Sequence, residues 1–308
     1  MLDGGREMSK PSLSLATAPV TWGVELAEGP SNPPWQHVLD EIAQSGIGAL
    51  ELGPVGYLPE DPVLLCEVLR SHGLTAVGSF VLEDLHDPAA LADVLAVARR
   101  VCRAIVAAEG SVLVIVDRPS RERAATAGRP QDSPRQDAAS WRVMLGAIER
   151  IAAIADDYGL RAAVHPHAGS YLEYEDEIER FLGHSEIGLC LDTGHLAYAG
   201  LVAHEAIAKY GDRLAHVHLK DVDGTLLERI GREKIGFSKA IALGIFCPLG
   251  RGVVDLGAVL DALDGAGYQG FATIEQDRVA GSGSPLQELA ESVAALTAAA
   301  NTPNTKVH

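Results

Sequence analysis

Ionisable side chains recur at the carboxyl ends of otherwise apolar runs. Glu51 lies in ALEL, Asp117 ends VLVIVD, His165 ends AAVH, Asp192 ends GLCLD, His216 and His218 alternate in AHVHLKD, and Glu275 ends ATIE. Such a group costs several kcal/mol if buried bare, so each needs a partner or an ion. Asp192, His218 and Glu275 together offer two carboxylates and one imidazole without thiolate. That donor set suits Mn²⁺, Mg²⁺ or Co²⁺ better than a structural zinc site. A fourth donor is expected from VHPHAGSYLEYEDE, where Glu173 offers a carboxylate and His165 and His167 offer imidazoles nearer the strand.

Each residue also has a plainer use. Asp192 in DTGH can cap a helix, and His195, three residues on, would then share its helical face. Alternation in AHVHLK puts His218 and Lys220 on one face, which His216 shares only at the deeper end, so His216 reads as a core histidine. Lys220 and Asp221 read as a surface pair of little energetic value. PLGRG at 248–252 can form a backbone nest for an anion. No GxGxxG or GxxxxGK[ST] occurs, which argues against a nucleotide cofactor, and no GxSxG elbow supports acyl chemistry. Cys66, Cys102, Cys190 and Cys247 have no paired spacing and read as buried thiols of a reducing compartment.

The elements that must gather these groups alternate. Apolar runs at Leu15 to Val20, Gly48 to Leu52, Thr75 to Phe80, Ser111 to Asp117, Arg161 to His165, Ile187 to Asp192, Leu214 to Lys220 and Phe271 to Glu275 predict strands separated by helices. Trp35, Val38, Leu39, Ile42 and Ala43 recur at helical spacing and stop at Gly46. Leu145, Ile148, Ile151, Ala152 and Ile154 repeat the pattern before Tyr158-Gly159. The order predicts one (β/α)8 barrel over residues 14–300, with a flexible leader at 1–13 and a flexible tail at 301–308. Loops after strands build the active rim of such barrels. Two are long: residues 118–136, read as a mobile lid or a disordered stretch, and residues 222–255, with a short helix before the PLGRG element.

The 308 residues carry 25 basic and 42 acidic side chains, net −17, which repels nucleic acid and anionic membrane surfaces. No apolar run approaches the roughly 20 residues needed to span a bilayer, and the start lacks a secretory signal. A cytoplasmic protein is expected.

With these residues in view, the chain resembles the xylose isomerase-like family of TIM barrels, and within it the inosose dehydratases. The carrying segments are ELGPVGYLP (51–59), VHPHAGSYLE (164–173), LCLDTGHLAYAG (189–200), RLAHVHLKDV (213–222), PLGRGVVD (248–255) and GFATIEQD (270–277). The resemblance implies a divalent metal, Mn²⁺ first and Co²⁺, Mg²⁺ or Zn²⁺ as alternatives, held by Glu173, Asp192, His218 and Glu275. It also implies that His195 and Lys220 face a polyol or sugar substrate, and that the chain forms a homo-oligomer. Trp22, Glu51, Tyr57, Asp117 and Arg251 are the further candidates for substrate contact. Where those enzymes carry three consecutive histidines, this chain reads His165-Pro166-His167.

The chemistry follows from the donors. A metal-bound ketone acidifies the adjacent C–H, and a base removes that proton. Loss of a hydroxyl one carbon further gives dehydration; return of the proton elsewhere gives isomerisation or epimerisation. Acid and base roles fall to His165 or His167 and to His195, with Lys220 supporting the enolate. A keto-cyclitol dehydratase is the first reading, a keto-sugar isomerase or epimerase the second. A catalytically idle sugar-binding barrel is the third, disfavoured because clustered acids repel without a cation.

Overall fold

The computed structural model describes residues 13–302. The expected leader and tail therefore lie outside the described residues, apart from Leu13, Asn301 and Thr302. The strands are β1 (Ser14–Thr17), β2 (Ala49–Glu51), β3 (Thr75–Glu83), β4 (Val112–Asp117), β5 (Arg161–Val164), β6 (Gly188–Asp192), β7 (Leu214–Leu219), β8 (Asp221–Val222), β9 (Phe246–Cys247) and β10 (Phe271–Ile274). Eight of them close a parallel barrel in the order β1-β10-β7-β6-β5-β4-β3-β2, and β8 pairs with β9 antiparallel outside it. Every expected strand is present. The apolar runs are buried on both faces, as parallel barrel strands must be.

Alternation divides those faces. In β4, Leu113 and Ile115 join the large core shared with the helices. Val112, Val114 and Val116 pack with Ala163, Cys190 and Ala215 in a second cluster contributed by β4 to β7. The helix Trp35–Ser45 buries Val38, Leu39 and Ile42 and ends at Gly46, whose φ of 83° is the left-handed stop its sequence called for. The helix Ala138–Asp157 starts where the Asp137 carboxylate accepts hydrogen bonds from the Ala139 and Ser140 amides. No helix among the described residues is long and apolar enough to cross a membrane.

The segment 118–136 is folded and anchored, which corrects the expectation of a mobile or disordered stretch. It contains the helix Arg121–Thr126, capped by Ser120. Arg123 is fully buried and donates to Glu177 at 2.9 and 3.0 Å, to Glu173 at 3.3 Å and to the Pro134 carbonyl at 2.9 Å. The Tyr174 ring lies 4.9 Å from its guanidinium carbon. A basic, proline-rich stretch reads as solvated only because the acids that neutralise it sit far along the chain.

The nest at 248–252 does hold an anion, and it is Asp221. Its carboxylate accepts from the amides of Gly250 (2.9 Å), Gly252 (3.0 Å), Val254 (3.0 Å) and Val222 (2.8 Å). A Cβ at Gly252 would stand 2.3 Å from the Asp221 Oδ1 atom. The Lys220–Asp221 surface pair is thus corrected: both are buried, Asp221 turned to the nest and Lys220 to the acids of the barrel mouth.

Replacing Arg123 with Met leaves Glu173 and Glu177 buried with their main cation gone. Breaking a buried pair in this way costs about 3–5 kcal/mol. The loss should be visible as a lower denaturation midpoint, whereas Arg100→Met, which removes an exposed pair with Glu60, should shift stability by under about 1 kcal/mol.

Candidate active site

At the carboxyl end of β6, Asp192 does two things at once. Its Oδ1 atom accepts from the Gly194 and His195 amides at 2.8 and 2.9 Å, capping the helix Thr193–Tyr198. Its Oδ2 atom is buried and faces the Lys220 ammonium at 3.0 Å. Register places Asp192 directly beside His218 of β7, and His218 beside Thr273 of β10. His165 is the first residue after β5.

Each of His165, Asp192 and His218 can offer one ligand atom so that the three lie within 4.8 Å of one another. His165 Nδ1 is buried without a partner, His218 Nδ1 faces the Glu275 carboxylate at 3.3 Å, and Asp192 Oδ2 meets the Lys220 ammonium at 3.0 Å. Buried polar atoms are almost always satisfied, so an unpartnered imidazole nitrogen clustered with a second imidazole and carboxylate oxygens fits a divalent cation. Glu275 adds a carboxylate oxygen 3.3 Å from His218 Nδ1.

Beneath this cluster, Glu51 sets the orientation of His218. One oxygen of its buried carboxylate accepts from His218 Nε2 at 2.9 Å, from His216 Nε2 at 2.8 Å and from the Thr273 hydroxyl at 2.6 Å. Because Nε2–H is directed at the Glu51 carboxylate, Nδ1 is the nitrogen turned to Glu275 and the one free to ligate an ion once deprotonated. Burial opposes a charge on His218, but the acidic groups around it raise its pKa well above the usual histidine range. Burial opposes the charge on Glu51, yet His218 and His216 hold its pKa well below the usual range. His216 is accordingly a satisfied core histidine, as its place in the alternation suggested.

Lys220 supplies the central positive charge. Its ammonium lies 2.8 Å from Asp277, 3.0 Å from Asp192 and 3.2 Å from Glu275. Burial works against that charge, but the three carboxylates, Asp192 foremost, push its pKa well above the ordinary lysine value. Glu275 responds in kind: burial raises it, and His218 and Lys220 bring it down to about 2. For Asp192, burial prevails over Lys220 and His218 and the pKa is raised.

Two imidazoles stand beside the acids with their rings 3.9 Å apart. The Ala168 amide donates to His195 Nδ1 at 3.3 Å, and His195 Nε2 lies 3.2 Å from the Lys220 ammonium and 3.7 Å from Asp277. His167 Nδ1 lies 2.9 Å from the Ala168 carbonyl, which only accepts. His167 therefore keeps its proton on Nδ1 and a lone pair on Nε2. Burial pushes His167 down to about 4 and holds His165 and His195 well below the usual histidine range.

These groups meet in a cleft of about 680 Å³, open mouth included, whose lining contains His165, His167, His195, His218, Lys220, Glu275, Asp277, Arg278 and Glu25. All four expected catalytic residues line it, and three expected metal ligands converge. The fourth, Glu173, does not join them. Its oxygens accept from the Gly128 amide at 2.7 Å and from the Gly169 amide at 3.0 Å, and it pairs with Arg123. It lies past the Gly169 turn, where φ is 81°, and ties segment 118–136 to the loop after β5. His165 takes the place beside Asp192 and His218.

None of the five expected substrate contacts lines the cleft. The Trp22 indole donates to Glu41 at 2.5 Å, and Glu51 sits under His218. The Tyr57 hydroxyl donates to the Pro33 carbonyl at 2.9 Å. Asp117 pairs with His86 at 2.8 Å and accepts from the Tyr171 amide at 3.1 Å. Arg251 is exposed and paired with Glu291 at 2.6 Å. Sequence reasoning passed over Asp277, although it lies two residues beyond Glu275, where strand alternation would return to the same face.

Changing Glu51 to Gln keeps an oxygen that can accept from His216, His218 and Thr273 but removes the carboxylate charge that supports the basicity of His218. Calorimetric titration of chelator-stripped protein with Mn²⁺ should show binding about 10- to 100-fold weaker than wild type, with circular dichroism checking that the fold persists.

The family model for the xylose isomerase-like TIM barrel matches residues 39–299. An inosose dehydratase of Geobacillus thermodenitrificans is 25% identical over 281 residues, 89% of this chain and 93% of the relative. The rhizopine catabolism protein MocC of Rhizobium meliloti is 28% identical over 285 residues, 89% of this chain and 85% of the relative. Among solved structures, the IOLI protein with a bound zinc atom superposes with a TM-score of 0.71 at 15% identity, covering 94% of this chain and 98% of the other. The chain belongs to the xylose isomerase-like TIM barrel family.

Proposed function

We propose that this enzyme is a metal-dependent lyase that removes water from a keto-cyclitol, in line with the inosose dehydratases it resembles. The observation that carries the reading is the convergence of buried ligand atoms on His165, Asp192 and His218, all within 4.8 Å of one another, beside neutral imidazoles in one cleft. These three residues and Glu275 would hold the ion, with Mn²⁺ best suited to the mixed oxygen and nitrogen donors. A divalent ion there supplies Lewis acidity to a ketone oxygen and its neighbouring hydroxyl.

The chain's own groups do the proton work. His167 is uncharged and has Nε2 free, so it is placed to accept the proton from the carbon next to the carbonyl. Its depressed pKa makes the resulting imidazolium a ready donor. The same proton then passes to the hydroxyl one carbon further, which leaves as water while the C–C bond becomes double. His195 and the Lys220 ammonium orient the oxygen substituents, and the ammonium offsets the negative charge that builds on the enolate.

The distribution of polar groups favours elimination over epimerisation. Strands β10, β7, β6 and β5 are contiguous in the barrel, and they or the residues just after them carry the acids and imidazoles. Epimerisation needs a second proton donor across the substrate, where β3 and β4 present Phe80, Leu82, Val114 and Val116.

Incubation with scyllo-inosose and Mn²⁺ should produce the absorbance of a conjugated dione, and excess chelator should abolish it. His167→Ala should lower kcat by about 10²- to 10⁴-fold while leaving Mn²⁺ binding in place. Full activity in chelator would overturn the metal assignment. No dione, with turnover of a ketohexose, would favour the epimerase.

A further inference from the structure

The cleft is divided in polarity, and its apolar half constrains the ligand. Phe80 pairs in register with Val114 and Leu82 with Val116 across β3 and β4. All four line the cleft, together with Phe237 and Ile241 of the helix Phe237–Ala242. Phe80 and Leu82 are only half-buried, which leaves apolar surface facing the space a ligand would fill.

Most polar atoms of that half are already engaged. Glu51 Oε1 is held by His216, His218 and Thr273, its Oε2 is buried beneath the histidines and outside the cleft lining, and Asp117 is held by His86 and Tyr171. The Ser79 hydroxyl donates to the Gly53 carbonyl at 2.8 Å, and the Thr17 hydroxyl to the Ile274 carbonyl at 2.9 Å. Glu25 is the polar exception, and it stands exposed on the loop after β1. A hydroxyl pressed against the β3–β4 wall would lose its water and gain no partner. An apolar surface rejects such a hydroxyl about 100-fold at most, enough to choose between related rings.

Resting on the dehydratase reading for the ligand's reactive edge, we infer that the substrate is an amphipathic ring. One edge carries the ketone and hydroxyls that meet the polar half of the barrel, and the opposite edge bears hydrogen or alkyl carbon against Phe80, Leu82, Val114 and Val116. The substrate class is a deoxygenated or alkyl-substituted cyclitol ketone; a fully hydroxylated ring serves as a slower analogue.

Two unreactive probes share a vicinal diol and differ on the remote edge: trans-1,2-cyclohexanediol and scyllo-inositol. Calorimetry on the Mn²⁺-loaded protein should give the cyclohexanediol at least about tenfold tighter binding. Val114→Thr with Val116→Thr, which adds two hydroxyls at nearly unchanged volume, should shrink or invert that ratio. Leu82→Gln, at a half-buried position, should do the same if the double variant fails to fold. Tighter binding of scyllo-inositol by wild type, no change of ratio in the variants, or no binding of either probe would overturn the inference. Dehydration of scyllo-inosose alongside any of those results would leave the dehydratase reading standing. Preference for the cyclohexanediol without any dehydration would sink that reading and keep the amphipathic ligand.

Discussion

Closing eight parallel strands forces carboxylates from separate parts of the chain into a space where they repel, and positive charge must be held among them for the barrel mouth to be stable. The Lys220 ammonium meets this need within the chain, touching Asp192, Glu275 and Asp277 at 2.8 to 3.2 Å. It does not satisfy every donor. His165 Nδ1 remains without a partner, and it marks, with the ligand atoms of Asp192 and His218 that lie within 4.8 Å, where a divalent ion fits. A lysine and an ion can share one acidic cluster here because four carboxylates, counting Glu51 beneath, stand against them.

Support for this cluster is layered. Glu51 and Thr273 hold His218 from below, the helix cap at Asp192 aims its second oxygen, and the Ala168 peptide fixes both His167 and His195 through its carbonyl and its amide. The Ala168 peptide belongs to the loop after β5, and Glu173 ties that loop to the buried Arg123. Segment 118–136 thereby acts on the chemistry from a distance, as a brace behind the histidines. The nest around Asp221 does comparable work on the other flank, joining the loop at 248–254 to the residue that follows Lys220.

Most of the framework was legible because its signals are local. Continuous apolar runs that end in Asp, Glu or His, spaced by helical patterns with glycine stops, admit few architectures other than a parallel barrel, and each of the eight runs became a barrel strand. His165, His167, His195, His218, Lys220, Asp192 and Glu275 were found for the same reason, since strand ends converge in a closed sheet. Segment 118–136 was misread because the partners of Arg123 lie near residue 175. Glu173 stands apart from the cluster, paired with Arg123, because the family pattern supplies a ligand type without showing which side of the Gly169 turn it occupies.

The amino-acid order alone determined the fold class, the rim on which chemistry takes place and the residue types available there, because periodicity and strand-end chemistry are properties of short windows. Only the tertiary structure decided which of these groups touch. It placed His165 and not Glu173 beside Asp192, turned Glu51 into a support for His218, satisfied Asp117 away from the cleft and left β3 and β4 apolar inside the barrel. Those choices depend on distances across the barrel between residues far apart in the chain, and no spacing along one strand encodes them.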